Sequence, residues 1–258
     1  MNRLNELFAS KQKPLLSIYF TAGYPTQNST LDIAEALEKA GADFLEIGFP
    51  YSDPLADGPV IQQSSQQALL NGMTLDVLFD QLKELRKRVS IPVLLMGYFN
   101  PVLQYGVEKF CGACASAGVD GVIIPDLPMY EYEGMYKDCF TSNGITNIFL
   151  ITPHTSDERI RRIDKLSDGF IYLLSSSATT GKNLALNEEA DRYFSRIQQM
   201  NLTNPTMIGF GISNRESFQK AAQYTRGAIV GSAFVKILAE DNYLDKINGF
   251  IEALNPVE

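Results

Sequence analysis

Three carboxylates follow one another closely in a single short segment of the chain. Residues 44–59 read FLEIGFPYSDPLADGP, so that Glu46 interrupts an apolar run and Asp53 and Asp57 follow in a loop rich in proline and glycine. Carboxyl groups that converge on one strand end are typical of acid/base catalysis. The segment therefore predicts an acid/base site with Glu46 and Asp57 as its main candidates, whereas Asp53, which precedes a proline, is more typical of a turn.

Each main candidate has a structural alternative. Glu46 would serve as a structural acid if neighbouring backbone amides bonded it, and Asp57, which precedes Gly58 and Pro59, would otherwise form an Asx turn or cap a helix. The chemical interpretation of Glu46 rests on its apolar neighbours, because an ionised carboxylate is expensive to bury and burial raises its pKa. A raised pKa suits a group that must both donate and accept a proton.

Composition excludes several other classes of site. The 258 residues contain one histidine, so His-based triads and multi-His metal sites are excluded by count. The net charge of −8, without a block of basic residues, argues against nucleic-acid binding. Cys111 and Cys114 have CxxC spacing within a helical pattern that has no second Cys pair, which predicts small core residues in preference to a redox or metal centre.

The cellular location follows from the same composition. The first residues, MNRLNE, are polar, and no apolar run approaches the length of a membrane span, so neither a signal peptide nor a membrane segment is expected. Three cysteines, an odd number, suit a reducing compartment. We expect a cytoplasmic protein.

Eight short apolar segments alternate with longer amphipathic ones. The predicted strands are 15–21, 44–48, 91–97, 121–124, 147–152, 169–174, 206–209 and 227–230. The predicted helices are 28–41, 62–88, 106–118, 130–142, 157–167, 187–200, 214–223 and 232–254. Almost continuously apolar strands, each followed by a helix, predict an α/β fold: one (β/α)8 TIM barrel domain over residues 1–258, with extra helices. The alternative is an open doubly wound sheet, which the absence of GxGxxG after the first strand disfavours.

The active site of such a barrel lies at the carboxyl ends of its strands. There the seventh and eighth strands lead into GFGIS and GSA, whose glycines and helix starts expose backbone N–H groups suited to a phosphate. Tyr172 lies within the sixth strand, and if it faces inward its phenol is near the acids. The Ser/Thr-rich run that contains Thr180 and Lys182 has the composition of a mobile lid.

These motifs resemble the tryptophan synthase alpha subunit family. The resemblance rests on LEIGFPYSDPLADGP, PDLP at 125–128, GFGIS at 209–213 and GSAFVK at 231–236, and it extends in order from FTAGYP at 20–25 to the last helix. It implies a lyase that cleaves indole-3-glycerol phosphate to indole and glyceraldehyde 3-phosphate in tryptophan biosynthesis. It further implies no cofactor in this chain and a beta subunit that holds pyridoxal phosphate, receives indole through a tunnel and forms an alpha2beta2 tetramer.

The resemblance also implies roles for individual residues. The catalytic residues would be Glu46 and Asp57, with Tyr172 as the substrate-site tyrosine. Thr180 would be the lid threonine that contacts Asp57. The family's indole pocket maps onto Tyr19, Tyr98 and Phe210, and its phosphate contacts onto Gly181, Phe210, Gly211, Gly231 and Ser232. Two departures are that Ala178 stands where the family usually has glycine in the lid, and Tyr19 where it commonly has phenylalanine.

Two other functions are alternatives. The chain would act mainly as an interaction protein if it were a weak enzyme alone and chiefly an allosteric activator of a beta subunit. It would otherwise be another phosphate-binding barrel enzyme, such as an isomerase or indole-glycerol-phosphate synthase. The synthase is disfavoured because it needs lysines on barrel strands, and the predicted strands contain none.

Overall fold

Eight parallel strands close into a barrel in the computed structural model, which describes residues 2–174, 188–209 and 211–254 apart from the side chain of Glu189. The strands are β1 (Leu15–Thr21), β2 (Phe44–Gly48), β3 (Val93–Met96), β4 (Gly121–Ile123), β5 (Thr146–Ile151), β6 (Ile171–Leu174), β7 (Thr206–Gly209) and β8 (Gly227–Val230). Each strand pairs with the next, and β8 pairs with β1. The predicted barrel is confirmed, and the open doubly wound sheet is excluded.

Helices surround the barrel. They are α1 (Arg3–Ser10), α2 (Thr30–Ala40), α3 (Pro59–Leu70), α4 (Leu75–Leu82), α5 (Leu85–Arg88), α6 (Phe99–Tyr105), α7 (Val107–Ala117), α8 (Met129–Glu131), α9 (Lys137–Ser142), α10 (Asp157–Leu166), α11 (Glu188–Gln199), α12 (Arg215–Tyr224), α13 (Ser232–Leu238) and α14 (Tyr243–Leu254). A π-helical turn, Tyr132–Tyr136, joins α8 to α9.

Two predicted helices were wrong in extent, and two helices were not predicted. The segment 62–88 is divided among α3, α4 and α5, because Gly72 adopts a positive φ of 85° and Thr74 caps a new helix by accepting from Val77 N. The segment 232–254 is interrupted where Asn242 adopts a φ of 56°. Helices α1 and α6 are the two that sequence periodicity did not indicate; each has eight residues or fewer, which is too short for a clear helical period.

Alternation along the strands divides their side chains between two apolar regions. Side chains that point outward pack against the helices, while Leu94, Ile123, Ile148 and Met207 are among those that fill the barrel interior. Helix α1 closes the amino-terminal end of the barrel: the ring of Phe8 lies 5.6 Å from that of Phe170. Apolar side chains therefore fill the interior toward the amino-terminal end of the barrel, and the polar interior side chains lie toward the carboxyl ends of the strands.

The amino-terminal end of the barrel is also held by a buried ion pair. Asp120, just before β4, has a side chain that is 1% exposed and lies 2.6 Å from Arg86 Nη2 and 3.0 Å from Arg3 Nη1. It also accepts a hydrogen bond from Val93 N at 2.9 Å. Arg86 in turn donates to the carbonyl of Gly118 at 2.7 Å. The carboxylate thus joins β3, β4 and two helices at the end of the barrel away from the candidate site.

Replacing Asp120 by alanine is expected to lower the free energy of unfolding by about 3 kcal/mol, because it leaves Arg86 partly buried without its charge partner. Urea denaturation would show a lower midpoint with an unchanged slope. The control is Asp32→Ala, which removes an ion pair between Arg88 and an aspartate whose side chain is 53% exposed, and should cost less than about 1 kcal/mol. Equal losses in the two variants would contradict this assignment.

The CxxC cysteines are core residues, as predicted. Cys111 and Cys114 are fully buried on α7, and burial raises the pKa of both thiols, so neither carries the thiolate that redox or metal chemistry needs. Within the described ranges, no group of three or more His, Cys, Asp or Glu side chains could hold a metal ion. Nor does any described helix have the length and apolar character that crossing a membrane requires.

Candidate active site

Glu46 lies inside the barrel in the middle of β2. It is fully buried, and it is in register with Tyr19 on β1 and Leu94 on β3. Ser17 Oγ donates to Glu46 Oε1 at 3.4 Å, and no described residue bonds Oε2. Burial raises the pKa of Glu46 to about 8, against a smaller opposing effect of the Ser17 hydroxyl. At neutral pH the carboxyl is therefore mostly protonated, and Oε2 is available to a ligand.

These contacts disfavour a purely structural role for Glu46. A structural acid in a strand would be held by several donors, normally backbone amides, which lower its pKa. Among the described residues, Glu46 has instead one long hydrogen bond from a hydroxyl and one oxygen without a partner. Such an unsatisfied buried group is typical of a catalytic or ligand-binding position.

Asp57 lies in the loop after β2, where its side chain faces Tyr98. Tyr98 Oη donates to Asp57 Oδ2 at 3.2 Å, and burial raises the pKa of Asp57 to about 6 while this hydrogen bond opposes the rise. The residue before α3 is Gly58, and the Asp57 side chain does not cap that helix. The helix-cap alternative for Asp57 is thus not observed.

Asp53 lies apart from this pair. It is exposed, its carboxylate is bonded by the hydroxyl of the adjacent Ser52, and its carbonyl accepts from Leu55 N at 2.9 Å. These contacts fit a turn residue, as the sequence indicated.

Tyr172 and Tyr19 face the same interior space. Tyr172 is buried among the interior side chains of the barrel, and burial, followed by the charges of Glu46 and Asp57, raises its pKa. Both rings approach the backbone of a neighbouring strand. A Cβ on Gly209 would lie 1.9 Å from Tyr172 Oη, and one on Gly48 would lie 2.2 Å from Tyr19 Oη. Only glycine leaves room for the two phenols at these positions.

The hydroxyl of Tyr19 belongs to a chain of hydrogen bonds. Ser64 Oγ donates to the carbonyl of Ile61 at 2.9 Å, so it must accept from Thr21, whose Oγ1 is 2.7 Å away. Thr21 has then used its proton and accepts from Tyr19 Oη at 3.5 Å. The extra hydroxyl at this pocket position therefore donates to the protein and offers only lone pairs to a ligand.

A partly open cleft leads from Tyr19 and Asp57 to the surface. It encloses about 360 Å³ including its mouth, and Tyr19, Asp57 and Tyr98 line it together with apolar side chains. The apolar lining is that of Phe49, Pro54, Ile61, Met96 and Pro125. An apolar slot with a carboxylate at one side suits a flat aromatic ring that bears a polar N–H.

The anion site predicted from the sequence is at the start of α13, beside β1: a Cβ on Gly231 would lie 3.5 Å from Tyr19 Cδ1. Gly231 precedes this helix, Ser232 is its first residue, and no described side chain caps its amides. Helix α12 is different, since Asn214 and Ser217 form a capping box at its start. Helix α12 begins at Arg215, within one residue of the predicted start at 214, and Gly211 lies in the loop before it. The uncapped amides are those of α13.

Several predicted residues lie outside the described ranges. Thr180, Gly181 and Phe210 belong to this group, as do Ala178 and Lys182 of the predicted lid. Their roles stay predictions from the sequence.

Sequence reasoning missed Ser17 and the pair formed by Thr21 and Ser64. Ser17 is fully buried and lies two residues before Tyr19, so strand alternation places both on the inner face. A serine in the otherwise apolar run LLSIYFT was a usable signal for a residue that faces the site.

Known proteins share this sequence over nearly its full length. The family model described as tryptophan synthase alpha chain matches residues 6–254. The chain belongs to the tryptophan synthase alpha chain family. The tryptophan synthase alpha chain of Flavobacterium psychrophilum is 56% identical over 254 residues, which cover 98% of this chain and 100% of that one.

Solved structures agree with the assignment to the tryptophan synthase alpha chain family. Tryptophan synthase subunit alpha from Legionella pneumophila has a TM-score of 0.88 at 33% identity and covers 98% of this chain and 97% of that one. A chain of the tryptophan synthase complex from Pyrococcus furiosus has a TM-score of 0.86 at 35% identity, over 95% and 99% of the two chains. Family membership removes the isomerase and synthase alternatives.

Proposed function

We propose that Glu46 and Asp57 together carry the reaction of the tryptophan synthase alpha chain family. In that reaction this chain, a carbon–carbon lyase of tryptophan biosynthesis, cleaves indole-3-glycerol phosphate to indole and glyceraldehyde 3-phosphate. The observation that supports the residue assignment is the pair of carboxyl groups with raised pKa values, about 8 and about 6, on neighbouring parts of one barrel mouth. Near pH 7 one is mostly protonated and the other mostly ionised, which gives an acid and an anion together.

The proton transfers balance with these two groups alone. Protonated Glu46 donates to indole C3, and the positive charge that develops on the ring is stabilised by the Asp57 carboxylate, which accepts the ring N–H. The Glu46 carboxylate then takes the proton of the 3′-hydroxyl. The bond between indole C3 and the glycerol carbon breaks, its electrons return to the ring, and the former alcohol carbon becomes the aldehyde. Glu46 ends protonated, ready for another cycle.

Other residues bind and orient the substrate. In the proposal, Tyr19, Tyr98 and Phe210 line the indole pocket and Tyr172 lies beside the reacting carbon. The phosphate contacts are assigned to Gly181, Phe210, Gly211, Gly231 and Ser232, and Thr180 contacts Asp57 from the lid. The uncapped start of α13 supports the phosphate assignment, because free helix amides attract an anion. Remote binding of the phosphate would hold the reacting carbon in register.

The proposal includes a partner. The likeness to a chain of the Pyrococcus furiosus tryptophan synthase complex supports a beta subunit that receives the indole. We assign pyridoxal phosphate to that subunit and none to this chain, since Glu46 accounts for both proton transfers and Asp57 for the charge that develops on the ring. The assembly would be an alpha2beta2 tetramer of cytoplasmic proteins in which each alpha chain is a single domain.

The test is indole release from indole-3-glycerol phosphate as a function of pH. We expect kcat/KM to rise with pH through about 6, as Asp57 ionises, and to fall through about 8, as Glu46 loses the proton that it must donate. Released indole can be extracted into an organic solvent and quantified there, because the phosphorylated substrate stays in water.

The same assay with added beta subunit separates the lyase from the interaction protein. Indole release by the chain alone supports the lyase proposal, whether or not the partner accelerates it. Release only in the mixture would favour a chain that acts mainly through its partner. No release in either case would refute the proposed function.

A further inference from the structure

Tyr98 connects the loop that carries Asp57 to the end of β3. Its hydroxyl oxygen lies 2.9 Å from Ala56 N and 3.2 Å from Asp57 Oδ2. Both contacts are to consecutive residues of the loop after β2, although Tyr98 itself follows the next strand. The Tyr98 hydroxyl thus fixes the loop at Asp57, the residue that we propose accepts the N–H of the indole ring.

The direction of these hydrogen bonds is determined by their partners. The backbone N–H of Ala56 can only donate, so the phenol oxygen accepts there, and its one proton remains for the carboxylate. A hydrogen bond donated to a carboxylate favours the ionised form, and burial of Asp57 works against it. Tyr98 therefore supports the charged state of Asp57 and fixes one of its oxygens.

The Tyr98 ring is itself held in place. It lies 5.3 Å from the ring of Tyr51, whose backbone N donates to Ser65 Oγ at 2.9 Å. On the other side, Phe99 N donates to Asp126 Oδ1 at 2.8 Å, which ties the residue after Tyr98 to the end of β4. Because neighbours on both sides restrain it, the hydroxyl can act as a fixed donor, which is what a positioning group requires.

We propose that Tyr98 is a positioning residue for Asp57, which holds the carboxylate through its hydroxyl in addition to lining the indole pocket with its ring. The inference rests on the proposed function, since it deepens the role given to Asp57. It assigns the ring and the hydroxyl separate tasks: the ring contributes to substrate binding, and the hydroxyl sets the position and ionisation of the acid.

Other titratable groups face Asp57 from the elements around it. Among the described residues these are Tyr19 on β1 and Tyr172 on β6, both of which have a raised pKa, and Glu46 on β2, which interacts with both tyrosines. The tyrosines stay neutral over the working range, and Glu46 is mostly protonated below pH 8. On the far side of Tyr98 lies Asp126, which acts on the phenol. Removing the Tyr98 hydroxyl therefore changes Asp57 without creating or removing a charge.

The test is Tyr98→Phe, which keeps the ring and removes the hydroxyl. The acid limb of the kcat/KM profile, the part that rises as Asp57 ionises, should shift to higher pH by roughly one unit. The reason is that the ionised form of Asp57 loses its hydrogen-bond donor. This shift corresponds to a loss of roughly tenfold at the acid end and less than about threefold near pH 7.5. Tyr51→Phe is the matched control: its hydroxyl accepts from Asn100 Nδ2 at 3.4 Å, and its loss should leave the limb in place.

A second measurement does not depend on activity. The Asp57 carboxyl carbon can be titrated by NMR in carboxyl-labelled protein and assigned by its disappearance in Asp57→Asn. A higher Asp57 pKa in Tyr98→Phe than in the unchanged chain and in Tyr51→Phe supports the proposal, even if the chain were to release no indole. An unshifted titration, or a raised KM with an unshifted limb, would overturn it and leave Tyr98 as a pocket residue only.

Discussion

Replacing Glu46 by glutamine should reduce indole release by at least roughly 10³-fold, the upper part of the range for loss of a general acid/base group. The amide has nearly the same size as the carboxyl, but it neither donates a proton to indole C3 nor accepts one from the 3′-hydroxyl. Because one residue is assigned to both transfers, both steps fail together. The condensation of indole with glyceraldehyde 3-phosphate should be lost to the same degree, since it uses the same transfers in reverse. Steady-state rates in both directions would measure these losses.

Binding separates this chemical loss from a folding defect. An indole-3-alkyl phosphate without the 3′-hydroxyl cannot be cleaved, yet it should bind Glu46→Gln with nearly unchanged affinity, because the proposed phosphate and ring contacts are elsewhere. Isothermal titration would measure it. Turnover of Glu46→Gln within tenfold of the unchanged chain would contradict the assignment of Glu46 as the acid/base.

The second large effect is expected at Asp57. Asp57→Asn should lower kcat by about 10²–10³-fold, as for loss of a group that stabilises charge formed in the transition state. The asparagine oxygen can still accept the ring N–H, but it carries no charge to oppose the positive charge formed when C3 is protonated. KM should change little, because the asparagine oxygen still accepts the ring N–H. The acid limb of the pH profile, near 6 in the unchanged chain, should disappear in this variant.

Asp53 supplies the matched control for Asp57. It lies in the same loop and is exposed, so Asp53→Asn makes the same chemical change four residues away. Assayed without a beta subunit, it should keep the rate and the pH profile of the unchanged chain. Similar losses in Asp53→Asn and Asp57→Asn would show that the loop as a whole, and not one carboxylate, matters.

The strands were predicted more accurately than the helices. Four strands, β1, β2, β7 and β8, begin and end at the predicted residues, because each is a mainly apolar run bounded by polar or turn residues. Helix periodicity does not mark a turn inside an amphipathic stretch. The interruptions are at Gly72 and Asn242, which have positive φ; the Asn71-Gly72 dipeptide was a usable turn signal that periodicity alone does not register.

The site was predicted as a set of residues and not as a set of contacts. The alternation of β2 and the Pro/Gly loop after it were enough to nominate Glu46 and Asp57. The hydroxyls that oppose the effect of burial on their ionisation come from elsewhere: Ser17 from β1 and Tyr98 from the segment after β3. Which hydroxyl reaches which carboxylate depends on strand register and on the path of the loop, and neither is a local property of the sequence.

The sequence by itself determined that the chain has eight strand–helix units and that glycine-rich turns follow the last strands, and it nominated carboxylates for the chemistry. These are local properties of pattern and residue type. Only the tertiary structure decided that burial leaves Glu46 Oε2 without a partner among the described residues, that Tyr98 holds Asp57, and that α13 and not α12 offers uncapped amides. The physical reason is that solvation and hydrogen bonding depend on what surrounds a group in space, and closure of the barrel brings distant parts of the chain together there.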